Sequence, residues 1–303
     1  KNIRMACCSG PPEYLYVILP YFNYCGFKRR RELFVQFVNE IRPIKNIRII
    51  VSELQGPAPL PNLDVWRQVS FPQGDSLWLK ENLVNLAVPK EARYLAWIDA
   101  DITFLNKNWV HDTLDELQTN DVVQMWRSAI NLGPSGECIK TDKSFGYMFK
   151  GSGTPWVPTD RYGFWHPGYA WACTRSAWQK MGGLIDWAIL GSGDRHMAMA
   201  FAGQVLSSAP GNIHQNYKNL LLEFQTCVWD FKVSWVEGTI IHHWHGSLEN
   251  RKYRERWEIL TKNAFDPLKD VGHVKSGLIQ LSESGRRLEK FLARYFLDRS
   301  EDS

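Results

Sequence analysis

Apolar residues in the N-terminal half fall into short blocks that alternate between two periods. Tyr14–Pro20 (YLYVILP), Ile47–Val51 (IRIIV), Val65–Phe71, Tyr94–Ile98 (YLAWI) and Asp121–Trp126 (DVVQMW) are brief runs rich in β-forming residues. Their length and near-continuous apolarity predict buried strands of a parallel sheet. Between them, Leu33, Phe34, Phe37, Val38 and Ile41 recur at helical spacing, so Arg31–Ile41 reads as an amphipathic helix. Leu77–Leu86 and Asp112–Leu117 read as helices too, and the Pro-rich stretch Gly56–Pro61 as a loop. Strands alternating with helices imply an α/β fold, a mostly parallel Rossmann-like sheet flanked by helices.

From Asn131 to Pro167 the periodicity fades into Gly, Ser, Pro and aromatic residues, which predicts a long functional loop region. Beyond it come a strand at Tyr169–Thr174 and a helix at Ser176–Met181. A Gly-Ser-Gly-Asp turn within Ile189–Gly203 leads into another helix, and Trp235–Trp244 is a strand carrying histidines. Leu248–Leu260 is a charged amphipathic helix. Leu278–Phe296 is a last one, apolar at Leu281, Leu288, Phe291, Leu292, Tyr295 and Phe296. No repeat or linker divides the chain. It reads as an N-terminal segment over 1–13, one domain over 14–272 and a C-terminal amphipathic helix over 273–303 packed on that domain.

Composition narrows the class without naming a chemistry. Of 303 residues, 44% are hydrophobic and 22% charged, an ordinary globular balance. No apolar run reaches the roughly 18 residues of a membrane span, and Lys1–Pro12 shows no apolar leader core. Cys7, Cys8, Cys25, Cys138, Cys173 and Cys227 form no CxxC pair and read as reduced thiols of a cytoplasmic protein. The net charge of +4 is too small for a dedicated nucleic-acid binder. Basic residues nevertheless cluster at Lys28–Arg31 and at Arg251, Lys252, Arg254 and Arg256.

Ligands of open α/β sheets bind beyond the carboxyl ends of the strands. The polar residues there are Tyr21 to Asn23, Glu53, Asp99 and Asp101. In YLAWIDADITF an apolar strand delivers two carboxylates, Asp99 and Asp101, suited to Mg²⁺ or Mn²⁺ bridging a diphosphate. In IIHHWHG, strand alternation places His243 and His245 on one face, a candidate imidazole pair for the same metal. In GSGD, Asp194 stands at a helix N-terminus, either as a cap or as a carboxylate that takes a proton from an acceptor hydroxyl. Trp156 and Trp165, beside Gly and Pro, are candidates for stacking on a sugar.

Taken in order along the chain, these motifs resemble the GT-A glycosyltransferases: Asp99-Ala100-Asp101, Pro167-Gly168-Tyr169, Gly191 to Asp194, then His243 or His245. The likeness covers roughly Tyr14 to Asp270. It implies a metal-dependent enzyme using a nucleoside-diphosphate sugar, UDP-sugar by the hint of Glu53. On this resemblance Asp101 and one histidine ligate the metal, and Asp99 meets the ribose or reaches the metal through water. Glu53 reads the nucleobase, and Lys80 and Asn85 serve the donor from the helix before the DxD strand. Pro20, Tyr21 and Asn23 lie at the nucleotide, and Asp194 is the base of an inverting reaction. The chain departs from the pattern at one position: the acidic motif usually carries two adjacent carboxylates, whereas Gly193 precedes Asp194.

The acceptor is open to several classes. A saccharide or cell-surface glycan is one. Hydroxylated bases in DNA, modified by phage enzymes of the wider fold, are another, served by the basic helix Asn250–Trp257. A metal hydrolase and a non-catalytic binding module are the readings from other classes. The oligomeric state is not encoded in any feature of the sequence.

Overall fold

The computed structural model describes residues 13–151, 153, 165–247 and 255–302. Its elements run β1 (Leu15–Tyr21), α1 (Lys28–Ile41), β2 (Ile47–Leu54), β3 (Arg67–Phe71), α2 (Lys80–Ala87), β4 (Tyr94–Ile98), β5 (Ile102–Phe104), α3 (Trp109–Glu116) and β6 (Val122–Gln124). Next come β7 (Ser128–Leu132), β8 (Cys138–Lys143), β9 (Ala170–Thr174), α4 (Arg175–Met181), α5 (Gly193–Phe201), α6 (Gln215–Val228), β10 (Val233–Trp235) and β11 (Thr239–His242). The chain closes with α7 (Glu255–Lys262), α8 (Pro267–Asp270), β12 (Val271–His273), β13 (Ile279–Leu281) and α9 (Glu289–Asp298).

The apolar blocks pair into a seven-stranded sheet of order β10-β6-β9-β4-β1-β2-β3. Its pairings are parallel except where β9 inserts antiparallel between β4 and β6. The α/β, mostly parallel, helix-flanked architecture expected from the sequence is therefore the one observed. Side chains alternate across the pleat. Tyr16 and Ile18 of β1 join the core under α2, α4, α5, α6 and α9. Leu15, Val17 and Leu19 join the core under α1 and α3 on the opposite face.

A second, four-stranded sheet of order β5-β11-β7-β8 stands beside the first. It is built from the segment after the DxD motif, from the start of the stretch expected to be a loop, and from the histidine-bearing strand. That strand is shorter than expected and ends at His242. The expected terminal helix also breaks up: Ile279–Leu281 pairs with β12 as a hairpin, and only Glu289–Asp298 is α-helical. Leu292, Tyr295 and Phe296 of α9 are buried in the core while Phe291 is exposed. Among the described residues, Cys25, Cys138, Cys173 and Cys227 are free thiols, and no helix is long and apolar enough to cross a membrane.

His196, fully buried on α5, is held between Ser208 (Nδ1 to Oγ 2.6 Å) and the Tyr217 hydroxyl (Nε2 to Oη 2.8 Å). The Ser208 hydroxyl donates to the Val205 carbonyl, so Nδ1 donates to Ser208 and Nε2 accepts from Tyr217. Burial, reinforced by Arg256 and Arg195, holds this imidazole down to about 3. The unfolded chain binds a proton at this residue below about pH 6.5 and the native state does not. Stability from His196 is therefore complete above that pH and declines as pH falls, at up to about 1.4 kcal/mol per unit. Urea titrations between pH 6.5 and 5 should show a shallower slope in His196→Asn than in the wild type; equal slopes would exclude this role.

Candidate active site

The two sheets meet at a cavity of about 200 Å³ that opens beyond the carboxyl ends of β1 and β4. Asp99, Asp101, Lys80, Glu81, Asp194, His242, His245, Arg30 and Arg256 all line it, with Pro20, Tyr21 and Trp165. Three elements aim the chemistry. The end of β4 supplies Asp99, the start of α5 supplies Asp194, and the register of the small sheet supplies the imidazoles.

In that sheet, His242 of β11 lies opposite Ile102 of β5 and Asn131 of β7. Its backbone successor continues the ladder, His243 N–H donating to the Asp101 carbonyl (2.8 Å). The chain then leaves the strand, and His245 turns back toward Asp101. His245 Nε2 is 2.9 Å and His242 Nε2 3.8 Å from Asp101 Oδ2. Among the described residues, Asp101, His242 and His245 form the one group able to hold a metal, their ligand atoms within 4.8 Å of one another. One carboxylate oxygen and two imidazole nitrogens fit a divalent transition cation such as Mn²⁺ better than Mg²⁺, which prefers oxygen ligands.

Both imidazoles are oriented from behind. His242 Nδ1 lies 3.0 Å from Asn131 Oδ1, which also accepts from the Tyr169 hydroxyl (2.8 Å). His245 Nδ1 faces Glu301 at 3.9 Å. Burial opposes ionisation of Glu301, but Arg30 and Arg299 outweigh it and hold the carboxyl well below its usual range. Backing of this kind leaves Nε2 of each ring for a cation.

The histidine expectation thus needs correcting. Strand alternation was to join His243 to His245, but the strand stops at His242 and alternation stops with it. His243 instead bonds the Thr103 hydroxyl (2.9 Å), and His242 takes its place beside the carboxylate. Asp99, also expected at the metal, is not one of the three residues of that group. Its carboxylate meets Lys80 Nζ at 2.7 Å.

Lys80 joins Asp99 to Asp194, its ammonium also 2.8 Å from Asp194 Oδ2. Burial would depress this ammonium, but Asp194, Asp99 and Glu81 together push it well above its ordinary value. Asp99 is pushed up to about 6, first by burial and then by Asp194 and Asp101, against the pull of Lys80. Asp194 is the second residue of α5. The helix starts from Ser192, whose φ of 83° lies in the left-handed region that non-glycine residues rarely adopt. Arg256 donates to the Ser192 hydroxyl (2.6 Å), fixing this turn. Ser192 is the N-cap and Asp194 is turned to Lys80, so the carboxylate serves the cavity rather than a cap.

Other expected donor-site residues are used by the scaffold. Glu53 accepts from the Leu60 amide (2.8 Å), folding the Pro-rich loop over β2. Asn85 accepts from Leu184 N–H (2.8 Å) and pins the segment before α5 to α2. Asn23 brackets Phe27 through its N–H and carbonyl (3.0 and 2.9 Å), shaping the turn into α1. Trp165 lines the cavity, whereas Trp156, Arg251, Lys252 and Arg254 lie outside the described residues. Arg256 and Arg30 were visible only as members of basic runs. Glu81, Asn131 and Glu301 had no local signal, because their roles depend on partners distant in the chain.

No sequence-family model and no curated protein matches the chain. Solved structures do. The catalytic domain of Drosophila β1,4-galactosyltransferase 7, complexed with xylobiose, matches with 12% identity over 92% of this chain and 98% of that one, TM-score 0.43. Glucosyl-3-phosphoglycerate synthase from Mycobacterium tuberculosis, complexed with Mn²⁺, UDP and phosphoglyceric acid, matches with 11% identity over 84% of this chain and 77% of that one, TM-score 0.41. A putative nucleotide-diphospho-sugar transferase from Desulfovibrio desulfuricans matches with 14% identity over 94% and 99%, TM-score 0.38.

Proposed function

We propose that this chain is a metal-dependent glycosyltransferase that moves a sugar from a nucleoside-diphosphate donor to a saccharide hydroxyl with inversion. The observation that carries the reading is the joining of two chemistries in one cavity. A carboxylate–imidazole group stands in the cavity with a separate carboxylate, Asp194, which shares the Lys80 ammonium with Asp99.

A cation held by Asp101, His242 and His245 would supply positive charge to the departing diphosphate. Lys80 supplies a second positive charge and holds Asp99 and Asp194 at set positions. Asp194 accepts the proton of the acceptor hydroxyl as that oxygen attacks the anomeric carbon. Trp165 offers an apolar face for a sugar ring. A DNA acceptor draws less support: Arg256, counted in the basic helix, is buried against Leu190 and Ser192 instead of presented to solvent.

The test is a thermal-shift screen of nucleoside diphosphates and their sugars, with Mn²⁺, with Mg²⁺ and without metal. A ligand at a hundred times its dissociation constant stabilises by about 2.7 kcal/mol. A shift that needs Mn²⁺ and one nucleotide is expected, weaker with Mg²⁺. Stabilisation by metal alone, indifferent to nucleotides, would favour a hydrolase, and no response to either would favour a binding module.

A further inference from the structure

We propose that Glu81 supplies the second carboxyl of the sugar-binding end of the site, reaching from α2 into the space that a side chain at position 193 would fill. This rests on the transferase reading and deepens it. The chain lacks an acidic neighbour immediately before Asp194, where Gly193 stands. A Cβ built on Gly193 would lie 2.3 Å from Glu81 Oε1, 2.7 Å from its Cδ and 3.0 Å from its Cγ. The Glu81 carboxyl therefore already occupies that volume. Gly193 is helical, so its lack of a side chain answers to Glu81 and not to backbone conformation.

The rest of the surroundings hold Glu81 there. Lys80, one residue earlier on α2, bonds Asp194 and Asp99. Asn82 and Asn85, further along the same helix, both donate to Asp186 in the segment that leads to α5 (3.0 and 3.1 Å). The helices that carry Glu81 and Asp194 are thus fixed to each other. Glu81 is only 4% exposed, yet it lines the cavity. A buried carboxyl costs folding free energy that an apolar side chain of similar size would not, and burial pushes Glu81 up to about 8 against the pull of Lys80. A first-turn glutamate also gains from the dipole of its helix, but an exposed one gains as much. What the buried position adds is a carboxyl in the wall of the cavity that also holds Lys80, Asp99 and Asp194, suited to the hydroxyls of a sugar ring.

The decisive experiment exchanges the two side chains. Thermal shifts are measured in Mn²⁺ with UDP and with a panel of UDP-hexoses, on the wild type, Glu81→Gly, Gly193→Glu and the double variant carrying both changes. In the wild type one UDP-hexose should raise the Tm beyond UDP itself. Glu81→Gly should keep the UDP shift and lose that increment, a tenfold or greater weakening of the UDP-hexose relative to UDP. Gly193→Glu alone should lower the Tm of the unliganded protein, because two carboxyls compete for one space. The double variant should recover both the Tm and the increment. Retention of the increment in Glu81→Gly, or a double variant that regains Tm without the increment, would overturn the assignment. If the wild type responds to another nucleotide, that nucleotide and its sugars replace the UDP series; a wild type that responds to no nucleoside diphosphate or nucleotide sugar would instead remove the transferase reading itself, and the proposal with it. Glu81→Met, apolar and of similar length, guards against misfolding: it should keep the Tm and the UDP shift while the increment is lost, and an undiminished increment counts against the proposal.

Discussion

Asp101→Ala is expected to abolish Mn²⁺-dependent turnover and Mn²⁺-dependent stabilisation by nucleotide together. Among the described residues, Asp101 is the only carboxylate of the candidate metal group, and both imidazoles converge on its Oδ2. Removing it leaves two imidazole nitrogens and no carboxylate ligand for a divalent ion. Changes to groups behind a ligand typically cost about 10–100-fold in metal affinity, and loss of the ligand itself should exceed that range. Manganese binding followed by electron paramagnetic resonance reads the effect without any substrate. A variant that binds manganese as tightly as the wild type would remove the metal assignment. The structure also ranks the histidines: His242→Ala and His245→Ala should resemble Asp101→Ala in this assay, whereas His243→Ala, which loses a contact to Thr103, should not.

Asp194→Asn should leave donor binding intact and lower transfer by roughly 10²–10⁴-fold, the usual worth of a positioned general base. The amide keeps the shape of the carboxylate and can still accept from Lys80 through its oxygen. It cannot accept the acceptor's proton. Single-turnover transfer, measured beside the UDP thermal shift, separates the two effects. Loss of the donor shift in this variant would make Asp194 a support for Lys80, and unchanged transfer would exclude it as the base.

Much of the architecture was legible because burial on both faces writes strands as continuous apolar runs. Leu15–Tyr21, Ile47–Leu54 and Tyr94–Ile98 are of this kind, and each lies within three residues of its expected bounds. Direction is not written that way, so the antiparallel insertion of β9 was not visible in YAWACT. Helix α6 escaped notice although Tyr217, Leu221, Phe224 and Val228 carry its buried stripe. At the site, carboxylates delivered by strand or helix ends were legible, since Asp99, Asp101 and Asp194 follow local patterns. Residues whose use depends on distant partners were not. Glu53, Asn85 and Asn23 look equally suited to a ligand, but each is bonded to backbone of a neighbouring loop or turn. His242 was discounted by an alternation that its strand does not sustain.

The small sheet has a consequence for how the group of Asp101, His242 and His245 could change over evolutionary time. β11 is paired on both flanks, to β5 and to β7. A slip of one residue would turn its whole side-chain pattern over, replacing His242 beside Asp101 with Ile241 or His243. Gradual adjustment of ligand spacing is closed to a strand clamped in this way. Change at this position must come by exchanging the residue outright, so lineages descended from this chain should differ in the identity of residue 242 rather than in the register of β11.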